Sequence, residues 1–310
     1  MARGRLHAQN GIECQDRVGY CSKDGVFAIA LSDGAGSYRN SSLGAEKITN
    51  NITKNLSIGF YKIIRRSQYD IKKRIIAEIN RTLKSLQTEH SLPLKEFSCT
   101  LLFVVTDGKR FISGHIGDGV IGATKNKRAE VISKPENIIY ANVTTFITGT
   151  NLLSHLRLFR GSLNGYDSFV LMSDGSSESL YDRKRNKLSK SIVQIKHWAN
   201  IYTADKINLA LKDNMEEYII KNSFDDCSII YLISVKKSHH QLRSLDKEFK
   251  KEFLLISNSL GVYNRMKVFY QIVNNKLIDY KIISKNTDLS ERTVRKHYNA
   301  INKFSHKLIT

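Results

Sequence analysis

Short apolar runs broken by Asp-Gly and similar turn pairs fill the first 175 residues, and amphipathic helical stretches dominate the remainder of the chain. Residues 17–22 and 26–31 flank Lys23-Asp24-Gly25, where glycine after aspartate supplies the positive φ of a hairpin turn. Pairing the two segments sets Ser22 opposite Val26 and carries Gln15 and Asp16 to the open end, beside Ser32 and Asp33. Helices are expected over 43–56 and 71–86, the second with Ile71, Ile75, Ile79 and Leu83 at i+4 spacing. A second hairpin is expected over 98–105 and 110–116 about Thr106-Asp107-Gly108-Lys109, with shorter strands at 120–123 and 169–172. An apolar run of strand type, 227–235, precedes a charged stretch at 236–252.

Beyond that stretch the pattern predicts helices over 262–274, 278–285 and 291–304, with a turn at Asn286-Thr287-Asp288-Leu289 and Ser290 as N-cap of the last. In this last helix Val294, Tyr298 and Ile301 repeat at i, i+4, i+7 and face inward, leaving Arg292, Arg295, Lys296 and Asn299 outward. Seventeen of the eighteen glycines fall at or before Gly175, so the glycine count itself divides the chain. The division expected is 1–236, a charged linker at 237–252, and a helical domain at 253–310.

Charge changes the picture most. The 310 residues carry 49 Lys+Arg against 29 Asp+Glu, a net +20, which favours polyanionic partners. Residues 237–310 hold 15 Lys+Arg and 6 Asp+Glu, so +9 lies in this shorter segment. With 41% hydrophobic and 25% charged residues and two prolines, the composition is globular and excludes collagen-like or disordered classes. No apolar run reaches the roughly 18 residues of a membrane span, and the start Met1-Ala2-Arg3-Gly4-Arg5 lacks a signal-peptide stretch, so a cytoplasmic location is expected. Cys14, Cys21, Cys99 and Cys227 form no CxxC pair and are expected to be reduced thiols. His239-His240, in the charged stretch, receive no role.

The candidate chemistry lies in the acidic positions. Asp118 follows the strand ending at Ile116, Asp174 follows the strand ending at Met172, and Asp225-Asp226 precede the strand starting at Cys227. If the last two strands are antiparallel neighbours, Asp174 and Asp225 share a rim. A lone Asp-Gly is usually only a turn, as expected for Asp24-Gly25 and Asp107-Gly108. Four or five carboxylates at one rim differ, because they cannot all ionise without a compensating cation. Oxygen donors without histidine favour a hard ion, Mg²⁺ or Mn²⁺.

Five ordered motifs, Gln15-Asp16, Ser32-Asp33-Gly34-Ala35-Gly36-Ser37, Ser98-Cys99-Thr100 leading to Gly117-Asp118-Gly119, Leu171-Met172-Ser173-Asp174-Gly175 and Asp225-Asp226-Cys227-Ser228, resemble those of the metal-dependent type 2C protein phosphatases, bacterial branch. His7 and Gly11 also fit that branch. The resemblance covers about residues 5 to 235 and implies an α+β fold: a four-layer αββα sandwich of two antiparallel sheets flanked by helices, followed here by a small all-α domain. It implies two ions, Mg²⁺ or Mn²⁺, that activate water for direct attack on phosphorus. On that resemblance Asp33 would bridge them with the Gly34 carbonyl alongside, Asp174 and Asp225 would hold one ion, Asp16 would serve directly or through water, and Asp118 would match the aspartate that can support a looser third. Asp33 and Asp174 are the residues expected to carry catalysis, and the substrate implied is a phosphoserine or phosphothreonine protein.

Three positions depart from the family pattern. Gln15 stands where a metal-binding glutamate is usual, and Ala35 where eukaryotic members have a histidine proposed as leaving-group acid. Gly11 replaces an arginine expected to hold phosphate, leaving Arg3, Arg5 or Arg17 to substitute. The segment Asp288-Leu289-Ser290-Glu291-Arg292-Thr293-Val294-Arg295-Lys296-His297 resembles the helix-turn-helix of bacterial regulators, which implies DNA contact through Arg292, Arg295, Lys296 and Asn299. The competing readings are a non-enzymatic DNA-binding regulator with a degenerate phosphatase-like sensor, and an adaptor whose terminal helices bind protein.

Overall fold

The computed structural model describes residues 1–136, 144–200, 202–236, 260–274, 278–303 and 306–309. The chain forms two compact units: Met1–Gln194 with Leu209–Ile233, and Ile195–Asn208 with Ser234–Ile309. The linker expected at 237–252 lies outside the described residues.

The first unit opens with a short helix α1 (Arg5–Gln9) and a hairpin of β1 (Arg17–Lys23) and β2 (Val26–Ser32). The hairpin turn is tighter than the expected three residues. Asp24 and Gly25 alone form it, at φ 50° and 78°, a two-residue geometry that matches strand twist. Lys23 therefore pairs with Val26 and Arg17 with Ser32. Ser22 faces Phe27 rather than Val26, and continuing the register by one residue puts Asp16 across from Asp33. Helices α2 (Ser41–Ile63) and α3 (Gln68–His90) extend the two periodic stretches at both ends, α3 starting on Ser67, whose side chain accepts the Asp70 N–H. Strands β3 (Leu101–Thr106) and β4 (Arg110–Ile116) form the second hairpin, closed by Asp107, which accepts the Lys109 and Arg110 N–H groups.

Then come β5 (Val120–Lys125), β6 (Arg128–Ser133), a one-turn helix α4 (Leu152–His155), β7 (Arg157–Ser162), β8 (Tyr166–Met172) and α5 (Asp174–Leu180). A two-residue ribbon β9 (Tyr181–Asp182) and β10 (Lys187–Leu188) precedes helices α6 (Ser191–Trp198) and α7 (Ala204–Asn214) and the strand β11 (Ile229–Lys236). The first sheet runs β1-β2-β3-β4-β7; in the second, β11, β8, β5 and β6 are successive neighbours. All pairs just named are antiparallel.

Alternation along the central strands explains the layering. On β2 and β3, Val26, Ala28, Ala30, Leu101, Phe103 and Val105 face α2 and α3, packing on Ile48, Ile52, Ile75 and Ile79. The intervening Ile29, Leu31, Leu102 and Val104 point the other way, onto Ile121, Ala123, Phe169, Leu171 and Leu232 of the second sheet. Strands buried on both faces read as continuous apolar runs, which is why these stand out in the sequence. Beyond the second sheet, Ala2, Met215, Ile219 and Cys227 form a smaller cluster with Leu180 and Ile229. The two antiparallel sheets flanked by helices are the αββα arrangement that the motifs imply.

In the second unit, helices Leu260–Asn274, Tyr280–Thr287 and Glu291–Lys303 surround a core of Val268, Phe269, Ile272, Ile283, Val294 and Ile301. Ser290 caps the last helix through the Thr293 N–H. Tyr298 packs partly buried on that core, and His297, not expected inward, is buried too. No helix among the described residues is long and apolar enough to cross a membrane.

Candidate metal centre

Every expected acidic position sits at a strand end on one rim of the sandwich, and hydrogen bonds between sequence-distant segments hold it there. Asp33 leaves β2 with its N–H donating to Thr100 Oγ1 at 2.9 Å, while the Thr100 N–H donates to the Asp33 carbonyl at 2.8 Å. Gly34 bridges Cys99, and the Ala35 N–H donates to the Ser98 carbonyl, so Ser98-Cys99-Thr100 fixes the whole Asp33–Ala35 turn. Asp118 lies between β4 and β5, where Thr144 Oγ1 donates to its Oδ2 at 2.5 Å. Asp174 opens α5 and accepts the Gly175 N–H at 2.6 Å. Val120 and Ile229 both pair with Met172, so β5, β8 and β11 end level. Ser173 and Ser228 lock that alignment: the Ser228 N–H donates to Ser173 Oγ and the Ser173 N–H to the Ser228 carbonyl.

Carboxylate oxygens of Asp33, Asp118 and Asp174 lie within 4.8 Å of one another. Asp16 is fully buried, and neither of its oxygens has a hydrogen-bond partner among the described residues. Burial, then the charges of Asp16, Asp174, Asp225 and Asp118, drive the Asp33 carboxyl well above the usual carboxylate range. Burial and the Asp118 and Asp225 charges push Asp174 up to about 8, and burial pushes Asp16 up to about 6. The four other expected aspartates thus converge electrostatically on Asp33. An orphaned buried carboxylate beside a crowded triad fits an oxygen-ligated divalent cation, whose charge removes the repulsion.

Asp225 is placed differently from Asp174. It is exposed, and its carboxylate groups with His7 and the buried Asp226 within 4.8 Å. Asp226 accepts the Gly4 N–H at 2.7 Å and the Gln15 N–H at 2.6 Å, tethering the N-terminal segment to the start of β11. The adjacent-aspartate motif gives no sign that Asp225 faces the rim while Asp226 works as a clamp. Gln15 is buried with its Oε1 unpartnered among the described residues, a neutral oxygen available to a cation. Calorimetry on Gln15→Glu is therefore expected to show tighter Mn²⁺ binding than wild type, by roughly tenfold if the new carboxylate gains about 1.4 kcal/mol on the ion.

Three of the four cysteines are poor nucleophiles. All four are free, and burial pushes the Cys14, Cys99 and Cys227 thiols up to about 12, far from the thiolate range at neutral pH.

The raised carboxyls dictate a pH dependence. In the metal-free fold Asp16 and Asp174 hold protons that the unfolded chain releases near its ordinary value of about 3.9. Metal-free stability is therefore highest below that value and falls as pH rises through about 6 and about 8. Thermal unfolding of EDTA-treated protein at about pH 5 and about pH 8 should show the lower midpoint at the higher pH, and Mn²⁺ should remove the difference by displacing the protons.

The fold has counterparts among known proteins. The protein phosphatase 2C family matches residues 3–216. No curated protein sequence matches the chain. Among solved structures, the catalytic domain of the serine/threonine protein phosphatase PstP in complex with two manganese ions superposes with a TM-score of 0.51 at 15% identity, covering 74% of this chain and 93% of that one. Serine/threonine phosphatase Stp1 from Staphylococcus aureus gives 0.50 at 16%, over 71% and 88%. The S. agalactiae serine/threonine phosphatase gives 0.50 at 18%, over 70% and 91%. These structures share the fold, while the family match spans most of the chain and both hairpins and the Asp33, Asp118 and Asp174 turns; the chain belongs to the protein phosphatase 2C family, metal-dependent serine/threonine protein phosphatases.

Proposed function

We propose that this chain hydrolyses phosphoserine and phosphothreonine monoesters on proteins at the Asp33 rim, and that its C-terminal helices direct it to DNA. The convergence of Asp16, Asp118, Asp174 and Asp225 on the Asp33 carboxyl carries the first half. Asp33, Asp174 and Asp225, with Asp16, Asp118, the Gly34 carbonyl and Gln15 Oε1, would hold Mg²⁺ or Mn²⁺. When bound, such ions lower the pKa of water and neutralise the phosphoryl oxygens, supplying the nucleophile that the thiols cannot. The chain's own part is to keep these oxygens converged: Thr100 fixes the Asp33 backbone, Thr144 orients Asp118, and the Ser173–Ser228 pair sets Asp174 level with the start of β11. The test is hydrolysis of p-nitrophenyl phosphate and a phosphothreonine peptide with Mn²⁺ or Mg²⁺. Turnover that survives EDTA, or none with either ion, would refute the reading.

The DNA half is supported by the last helix, where Arg292, Arg295, Lys296 and Asn299 are all exposed while Val294, His297 and Ile301 are buried on the opposite side. Arg295 lies 5.2 Å over the Tyr280 ring, which holds its guanidinium beside the exposed face. Gel shifts of the full chain on duplex DNA should show affinity falling steeply with salt, and Arg292→Ala with Arg295→Ala should lower the log–log salt slope by about 2. Binding unaltered by the double substitution would favour the adaptor reading.

A further inference from the structure

Two of the three arginines named to replace the one missing at Gly11, Arg5 and Arg17, are engaged elsewhere. Arg5 Nε donates to the Ser223 carbonyl at 3.0 Å, and its guanidinium lies 4.3 Å over the Phe224 ring. Arg17 Nη1 donates to the Cys14 and Asp16 carbonyls at 2.6 and 2.8 Å. His7, one turn before Gly11, is differently arranged.

We infer that His7, seated beside Asp226, binds the phosphoryl group of the substrate through Nε2. Its Nδ1 lies 2.9 Å from Asp226 Oδ2, and Asp226 is itself immobilised by the Gly4 and Gln15 N–H groups. The carboxylate stands at ion-pair distance on the Nδ1 side of the ring, so Nε2 is the nitrogen left for another partner. Nε2 opens toward the turn that carries the metal-site residues: a Cβ built on Gly36 would stand 4.0 Å from it and 3.9 Å from Gln15 Oε1. Glycine at 36 leaves that gap without a side chain. The Asp225 carboxylate lies in the same cluster, so the ring borders the acidic rim. A phosphoryl oxygen there would accept a hydrogen bond from the ring at Nε2.

This assignment rests on the phosphatase reading, but its test does not need turnover. Full-length Mn²⁺-loaded protein is titrated with inorganic phosphate by calorimetry, for wild type, His7→Ala, His7→Gln and Arg3→Ala. His7→Ala should weaken phosphate roughly tenfold or more while leaving Mn²⁺ affinity unchanged. His7→Gln keeps a donor and most of the volume, and should fall between; it carries the test if His7→Ala does not fold. Arg3→Ala should match wild type. Unchanged phosphate affinity in the His7 variants, loss in Arg3→Ala instead, or a parallel loss of Mn²⁺ affinity that makes His7 a metal ligand would each overturn the assignment. Wild-type protein that binds phosphate through His7 without hydrolysing any ester would refute the phosphatase reading and leave the His7 assignment standing.

Discussion

Asp33→Asn is expected to abolish hydrolysis and, at the same time, to stabilise the metal-free protein. Loss of a group that merely orients a metal ligand already costs about 10–100-fold in activity or affinity, so loss of the carboxylate at the centre of the cluster should exceed the upper figure. The stabilisation follows from the same crowding. The Asp33 carboxyl is raised first by burial and then by four neighbouring aspartates, so each charge near it opposes folding when no cation is present. Asparagine cannot ionise in either state and keeps the shape. The metal-free variant should therefore unfold at a higher temperature than wild type near pH 8. Thermal unfolding in EDTA and in Mn²⁺ checks both halves. A variant less stable than wild type in EDTA would show that Asp33 is held by hydrogen bonding and not strained by its neighbours.

Gly175→Ala should have a comparable effect by a steric route. A Cβ at this position would stand 2.4 Å from the Asp226 carbonyl oxygen, 3.0 Å from Ser223 Oγ and 3.2 Å from Cys227 Sγ. The first of these is backbone of the clamp segment, which cannot swing aside as a side chain would. Either α5 moves and takes Asp174 with it, or the strand start moves and takes Asp225. Overpacking of this kind costs about 1–3 kcal/mol, and displacement of a ligand adds a loss of Mn²⁺ affinity of roughly tenfold or more. Gly59→Ala is the control: a Cβ there meets only movable side-chain atoms, Ile63 at 3.1 Å and Arg74 Nη2 at 3.9 Å, in mid-helix, and should be tolerated. Equal Mn²⁺ affinity in Gly175→Ala and wild type would mean that Asp174 and Asp225 need not share one rim.

The sequence is most readable where local chemistry and burial agree. Asp33, Asp118 and Asp174 each follow an apolar strand and precede glycine, and the strands that carry them are buried on two faces, so both strand and turn announce themselves. The first hairpin turn reads one residue too long, because Lys23 beside Asp24-Gly25 resembles turn composition although its backbone is strand. Strands β6 and β7 leave no clear signal. Arg128-Ala129-Glu130 and Arg157-Leu158-Phe159-Arg160 sit at the sheet edges, partly exposed, where apolar alternation is weak. The separate duties of Asp225 and Asp226 are illegible for a different reason: their division depends on Gly4 and Gln15, more than 200 residues away. His7 is visible only as a motif position, since its significance comes from that same distant carboxylate.

The Asp226 clamp also sets when the protein can work during its own synthesis. Asp16 and Asp33 emerge from the ribosome early, yet the partner that ties Gly4 and Gln15 in place is about three-quarters of the way along the chain. Until residue 226 has been made, Gly4 and the Gln15 backbone lack their clamp, Ala2 has no strand to bridge, and Asp174 lacks the neighbour that levels it. Ribosome-held intermediates shorter than this should neither retain metal nor attack phosphoproteins. Pairing of the two ends of a domain is a slow, non-local step, so the activity should appear late and abruptly, as a property of the finished domain.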